Sequence, residues 1–133
     1  MTADHLGIDH LGLTVSDLDA SARFFIDGLG WTRFGGNPDY PAIYVTNGHA
    51  KLTLWQQKGD DLRDFDRHAN VGLHHVALKV PTREALDRLY DRVCGWPGVA
   101  VEFAPELSGA GPKVHFMINE PGGARLEFSY DPR

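Results

Sequence analysis

Leu6-Gly7-Ile8-Asp9-His10-Leu11-Gly12-Leu13-Thr14-Val15 and Val71-Gly72-Leu73-His74-His75-Val76-Ala77-Leu78-Lys79-Val80 are one pattern written twice, 65 residues apart. Both alternate apolar and polar residues with the two-residue period of a half-buried strand. The segments after the two copies also correspond. After the first, Ser16 and Asp19 make a capping-box-like start, and Leu18, Ala22, Phe25, Ile26 and Leu29 recur at helical spacing until Gly28 and Gly30 end it. After the second, Thr82 is placed to cap, Ala85, Leu86, Leu89, Tyr90 and Val93 form the apolar stripe, and Gly95 with Pro97 stops the helix. Three strand-like stretches complete each half: Trp31 to Phe34, Ala42 to Thr46 and His49 to Gln56, then Val99 to Ala104, Lys113 to Asn119 and Ala124 to Tyr130. Asn47-Gly48 predicts a two-residue type I′ hairpin, and Glu120-Pro121-Gly122-Gly123 makes the corresponding turn in the second half. Each half therefore reads βαβββ. The expected organisation is one α+β domain, 1–133, of two modules, 1–66 and 67–133, joined through the polar stretch Lys58 to Asn70.

Composition bounds the function classes. The 133 residues are 42% hydrophobic and 23% charged, as in one compact domain rather than a disordered chain. A domain of this size buries roughly two-thirds of its unfolded surface and needs no disulfide. Cys94 is the only cysteine, which excludes an intrachain bridge and fits a reducing compartment. The first residues lack a basic flank followed by an apolar run, and no apolar run approaches the roughly 18 residues that span a bilayer, so a cytoplasmic protein without a membrane partner is expected. The net charge is −5 and the basic residues are scattered, which argues against nucleic acid as a partner.

Strand alternation sorts the side chains into two faces. Leu11, Leu13 and Val15 face the helix, and His10, Gly12 and Thr14 face away; Val76, Leu78 and Val80 oppose His75, Ala77 and Lys79. In the last strand of each half, Leu126, Phe128 and Tyr130 oppose Arg125, Glu127 and Ser129, and Leu52 and Leu54 oppose His49, Lys51, Thr53 and Trp55. His10 and His75 hold identical places in the repeat, Gly12 and Ala77 leave room beside them, and Glu127 offers a carboxylate from a third strand. Two imidazoles and one carboxylate make a candidate facial triad for a divalent metal ion (Fe2+, Mn2+, Zn2+ or Ni2+) with positions left for water or substrate. His5, His49, His68, His74 and His115 lack such pairing and read as surface or packing residues, with His74 in the opposite phase from His75.

At Ile8 to Leu18, Leu73 to Val80 and Glu120 to Phe128 the chain resembles the vicinal-oxygen-chelate superfamily, which contains glyoxalase I, fosfomycin-resistance enzymes, methylmalonyl-CoA epimerase, extradiol dioxygenases and bleomycin-resistance proteins. The resemblance implies two tandem βαβββ modules whose mixed sheets curl around an open cleft holding the metal, in a homodimer. It places metal ligands on His10, His75 and Glu127 and the fourth position on Thr53, where glyoxalase I carries a carboxylate and the epimerase an amide. Threonine is a poor neutral ligand. Gln56 faces the other way in a regular strand, and Gln57 lies about 13 Å along it. A lactoylglutathione lyase needs groups on both sides of the substrate carbon, so the missing acid counts against that reaction. Three ligands with an open place resemble the dioxygenase and fosfomycin-resistance branches, although their tyrosine ten residues before the last glutamate is Met117 here.

His115, on the same face, is the candidate acid or base beside Glu127, and Thr53, Trp55, Met117 and Arg125 are candidate substrate contacts. Lys51 and Lys79 read as rim charges, and Ser108-Gly109-Ala110-Gly111-Pro112 suits a flap or a close backbone approach to a ligand. A divalent ion on two neutral imidazoles and a carboxylate keeps positive charge and can stabilise an enolate, alkoxide or catecholate. The expected function is a divalent-metal-dependent enzyme acting on a small oxygenated organic substrate by dioxygenation or by lyase or isomerase chemistry. The alternative is a metal-free small-molecule binding protein of the bleomycin-resistance type.

Overall fold

The computed structural model describes residues 3–133. The first half runs β1 (Leu11–Val15), α1 (Leu18–Arg23), a π-helical turn (Phe24–Gly28), β2 (Thr32–Asn37), β3 (Ala42–Thr46) and β4 (Lys51–Gln56). The second runs β5 (Val76–Lys79), α2 (Arg83–Val93), β6 (Ala100–Leu107), β7 (Val114–Asn119) and β8 (Arg125–Tyr130). Each half builds its own four-stranded mixed sheet, in the orders β1-β4-β3-β2 and β5-β8-β7-β6. The first strand of each pairs in parallel with the last, because the helix carries the chain across before the remaining strands return as hairpins. That pairing sets Gly12 opposite Thr53 and Ala77 opposite Glu127, so Thr53 and Glu127 are equivalent positions. The fold is α+β with two repeated modules, as the repeat predicts.

Alternation sorts the faces as expected. Leu13, Val15, Leu52 and Leu54 in the first sheet and Phe116, Ile118, Leu126 and Phe128 in the second are buried in one core that runs through both halves. Thr82 caps α2 by accepting the Ala85 N–H at 3.0 Å. The first helix departs from expectation. Asp17, not Ser16, is its N-cap, accepting the Ala20 N–H at 3.1 Å, and Gln56 reaches across to accept the Leu18 N–H at 2.9 Å. After Arg23 the helix widens into the π turn, where the consecutive Phe24 and Phe25 are both buried. Phe25 meets Trp31 at 5.2 Å, and Phe24 meets Trp96 of the other half at 6.4 Å.

The Asn47-Gly48 turn also differs. Thr46 pairs with Lys51, leaving a four-residue loop. Only Gly48 has a positive φ, whereas a type I′ turn needs two such residues in succession. The Asn47 side chain accepts the N–H groups of His49 and Ala50 at 2.9 and 2.8 Å, and Thr46 Oγ1 accepts that of Gly48 at 3.0 Å. Side-chain acceptors thus replace the tight turn.

Ser16 is spent on the contact between halves. Its N–H donates to Gly122 O at 2.9 Å, and Ser21 Oγ donates to Glu120 Oε2 at 2.7 Å in the interior. Glu120 is 1% exposed and also accepts the N–H groups of Gly122 and Ala124, each at 2.9 Å. Burial raises its pKa above the ordinary carboxylate value despite these bonds. The repeat does not duplicate this clasp. Pro81 stands where the first half has Ser16 and has no N–H to give, and Leu86 stands at the place of Ser21. A cleft of about 260 Å³ between Trp31, Asn47, Pro81 and α2 remains on that side.

A Cβ at Gly122 would fall on the Ser21 hydroxyl and lie 2.7 Å from Val15 Cβ. Gly122→Ala is expected to cost about 1–3 kcal/mol, read from the urea midpoint. The Glu120 carboxyl binds its proton more tightly in the folded than in the unfolded chain, so its ionisation is what folding penalises. The stability of the wild type relative to Glu120→Gln is therefore expected to fall as pH rises from the ordinary carboxylate range through the raised value, and to level above it. Denaturation at a series of pH values checks the sign.

Candidate metal centre and its two sheet faces

Glu127 sits in the middle of β8, flanked across the ladder by Ala77 of β5 and Met117 of β7. His75 lies immediately before β5, and its Nε2 is 3.4 Å from Glu127 Oε2, too far for a hydrogen bond. His115 of β7 donates from Nδ1 to the other carboxylate oxygen, Oε1, at 2.5 Å, and the ring of Phe103 covers it at 4.8 Å. The carboxylate is thus held at one oxygen and open at the other, toward His75.

Behind His75 stands a polar chain that strand alternation does not reveal. His75 Nδ1 is 2.7 Å from His74 Nδ1, which in turn is 3.2 Å from Arg125 Nη1. Arg125 grips Glu102 through Nε at 2.9 Å and Nη2 at 2.7 Å, and Asn119 adds a third donor to that carboxylate at 3.2 Å. The Arg125 hydrogen bonds hold the Glu102 carboxyl below its usual pKa. Partial desolvation and then the Arg125 charge lower that of His74. His74 reads as a packing residue from sequence because the two-residue period is carried past the start of β5, where no strand geometry enforces it. Arg125, a candidate substrate contact, is committed to Glu102, with its side chain 14% exposed.

The first sheet carries a different face. His10 precedes β1 as His75 precedes β5, but its side chain is 53% exposed and its Nδ1 pairs with Asp9 at 2.7 Å. Among the described residues no three His, Cys, Asp or Glu side chains gather closely enough to hold an ion. His75 and Glu127 fit a metal as a two-donor edge, and His10 stands outside their group. Thr53 is buried and accepts the Trp55 indole N–H at 2.9 Å, so the space left by Gly12 is filled by this pair. Trp55 lies 5.2 Å from Tyr40 and 5.9 Å from Tyr44, and Tyr44 lies 5.8 Å from Phe34. These four rings form an aromatic wall, with Lys58 4.0 Å over Tyr40. Only Trp55 of the four stands out in the sequence. Met117 is buried under the second sheet's face beside Glu127.

Residues 7–128 match the family model described as the Glyoxalase/Bleomycin resistance protein/Dioxygenase superfamily. The chain belongs to that superfamily. Solved members share its fold. A glyoxylase/bleomycin resistance protein/dioxygenase domain from Frankia sp. EAN1pec is 24% identical, with a TM-score of 0.82 over 98% of this chain and 95% of that one. A lactoylglutathione lyase from Agrobacterium tumefaciens is 21% identical, with a TM-score of 0.71 over 96% of each. A possible glyoxalase from Bacillus cereus is 26% identical, with a TM-score of 0.69 over 93% of this chain and 98% of that one. Among curated proteins none matches in sequence. Divalent metals are common in this superfamily.

For this superfamily member, Thr53→Val should leave the Trp55 N–H without its acceptor and lower stability by about 1–3 kcal/mol. Metal content should not change, because the Thr53 hydroxyl already serves the indole; denaturation and elemental analysis of the same preparation test both expectations.

Proposed function

We propose that this superfamily member is a divalent-metal-dependent enzyme acting on a small oxygenated organic molecule, with each site shared between two copies of the chain. The observation that carries the reading is the Glu127 carboxylate, tied at Oε1 by His115 and presenting Oε2 to His75 Nε2. His75 and Glu127 of one copy and His10 of the other would complete three ligands. Two features support a homodimer. β1 and β5, which come directly after the two histidines, are edge strands. The segments leading into them expose apolar side chains, Leu6 at 99%, Ile8 at 85% and Leu73 at 41%. When bound, the metal supplies Lewis acidity to adjacent substrate oxygens.

The chain's own residues divide the remaining work. His115 is the acid or base, with Glu127 orienting its ring. Trp55, backed by Tyr40, Tyr44 and Phe34 and bonded to Thr53, offers a flat apolar surface that favours a planar or aromatic substrate, while Met117 and Arg125 stay on the second sheet beside Glu127 and Glu102. A buried threonine at the fourth position favours dioxygenation over proton-shuttling isomerisation, which needs a second carboxylate. The lone exposed Cys94 fits a cytoplasmic setting. The competing reading is a metal-free binding protein, favoured because no three potential ligands gather within one chain among the described residues.

Untagged, chelator-free protein titrated anaerobically with iron(II), manganese(II), zinc(II) or nickel(II) should take up about one ion per chain and lose it in His75→Ala and Glu127→Ala. Oxygen uptake or turnover should then appear with catechols, diols or oxoacids. No uptake of any of the four metals would transfer the assignment to the binding protein. Sharing has its own readout. His10→Ala and Glu127→Ala chains, each metal-free alone, should recover roughly a quarter of the wild-type sites after mixing, since half of the dimers would carry one intact site. Mixed dimers that bind no metal would reject the shared arrangement.

A further inference from the structure

We infer that His74 and Arg125 are positioning residues that set the tautomer of His75, holding its proton on Nδ1 so that the Nε2 lone pair faces Glu127. A guanidinium only donates hydrogen bonds. Arg125 is locked in place by three contacts to Glu102, two from Nε at 2.9 and 3.0 Å and one from Nη2 at 2.7 Å, and its Nη1 lies 3.2 Å from His74 Nδ1. His74 Nδ1 must then be an acceptor that carries no proton, with its single lone pair shared between the more distant Nη1 N–H and the closer His75. The 2.7 Å contact between His74 Nδ1 and His75 Nδ1 still needs one, so the proton sits on His75. A neutral His75 ring protonated at Nδ1 has a bare Nε2.

Glu127 Oε2 faces that bare nitrogen 3.4 Å away, while the N–H from His115 goes to Oε1. Two electron-pair donors confront one another with no hydrogen between them, an arrangement relieved by a cation. The other tautomer would place an N–H at Nε2 and let His75 donate to Glu127 instead, closing the site on itself. Ligand histidines ordinarily have the second nitrogen fixed by a carboxylate or carbonyl. Here a second histidine does so, and its acceptor role is enforced by a clamped arginine behind it. The chain Glu102, Arg125, His74, His75, Glu127 thus transmits a fixed hydrogen-bond direction from β6 to the candidate ligands.

This inference rests on His75 as a ligand, but its direct test does not. Long-range ¹H–¹⁵N correlation of metal-free protein at about pH 8 reports which imidazole nitrogen carries the proton. The wild type should show His75 protonated at Nδ1. His74→Leu and Arg125→Met should move the proton toward Nε2, whereas His74→Gln, whose amide oxygen can only accept, should keep it on Nδ1. Metal affinity should fall about 10–100-fold in the first two variants and recover in His74→Gln, with the His115 resonances unchanged throughout. Wild-type His75 protonated at Nε2 would overturn the inference, as would a His74→Leu protein with unaltered tautomer and affinity. The expected tautomers in a protein that binds none of the four metals would support the hydrogen-bond chain and overturn the function proposed above.

Discussion

Glu120 carries its carboxylate into the interior between the two halves, where Ser21 and the N–H groups of Gly122 and Ala124 satisfy it. Burying a charge is costly, and the raised pKa records that cost; three hydrogen bonds offset it only because Gly122 lacks a side chain and lets the strands' turn sit against Val15. Neither half could cover its own sheet. Each has one α-helix for four strands, and one core runs through both halves, with Phe24 of the first meeting Trp96 of the second. Docking on the helical side leaves both polar sheet faces uncovered, and those faces are where chemistry is available.

The two copies of the repeat differ along one register. Thr53 and Glu127 are equivalent, and so are Gly12 and Ala77, Trp55 and Ser129, and Ala42 and His115. In the second half these positions hold a carboxylate and a histidine, and a hydrogen-bond network fixes them. In the first half they hold a hydroxyl and an indole bonded to each other, and the face becomes a wall of aromatic rings. One half presents directed lone pairs and the other a flat apolar surface. A site between copies would combine the two without either half having to supply both.

Much of this is legible in the sequence. The duplicated segment, the βαβββ order, the capping Thr82 and the burial of Leu126 and Phe128 against the placement of Glu127 on the polar side all follow from local periods. Ser16 misleads because its alternative partner, Gly122, lies 106 residues away. The Asn47 loop misleads because a side-chain acceptor takes the part of a tight turn. His74, Glu102, Tyr40 and Phe34 escape notice for related reasons: His74 and Tyr40 precede strands, and Glu102 and Phe34 sit at irregular registers where a bulge breaks the alternation.

By itself, then, the sequence determined the fold, the superfamily resemblance and which strands present polar side chains, because periodicity and short-range steric preference act on neighbours along the chain. Only the tertiary structure decided that Glu127 meets His75 at one oxygen and His115 at the other, that His10 pairs with Asp9, and that Arg125 faces Glu102. Those outcomes depend on how separate strands register and how two halves dock, and directional contacts between distant residues leave no periodic trace.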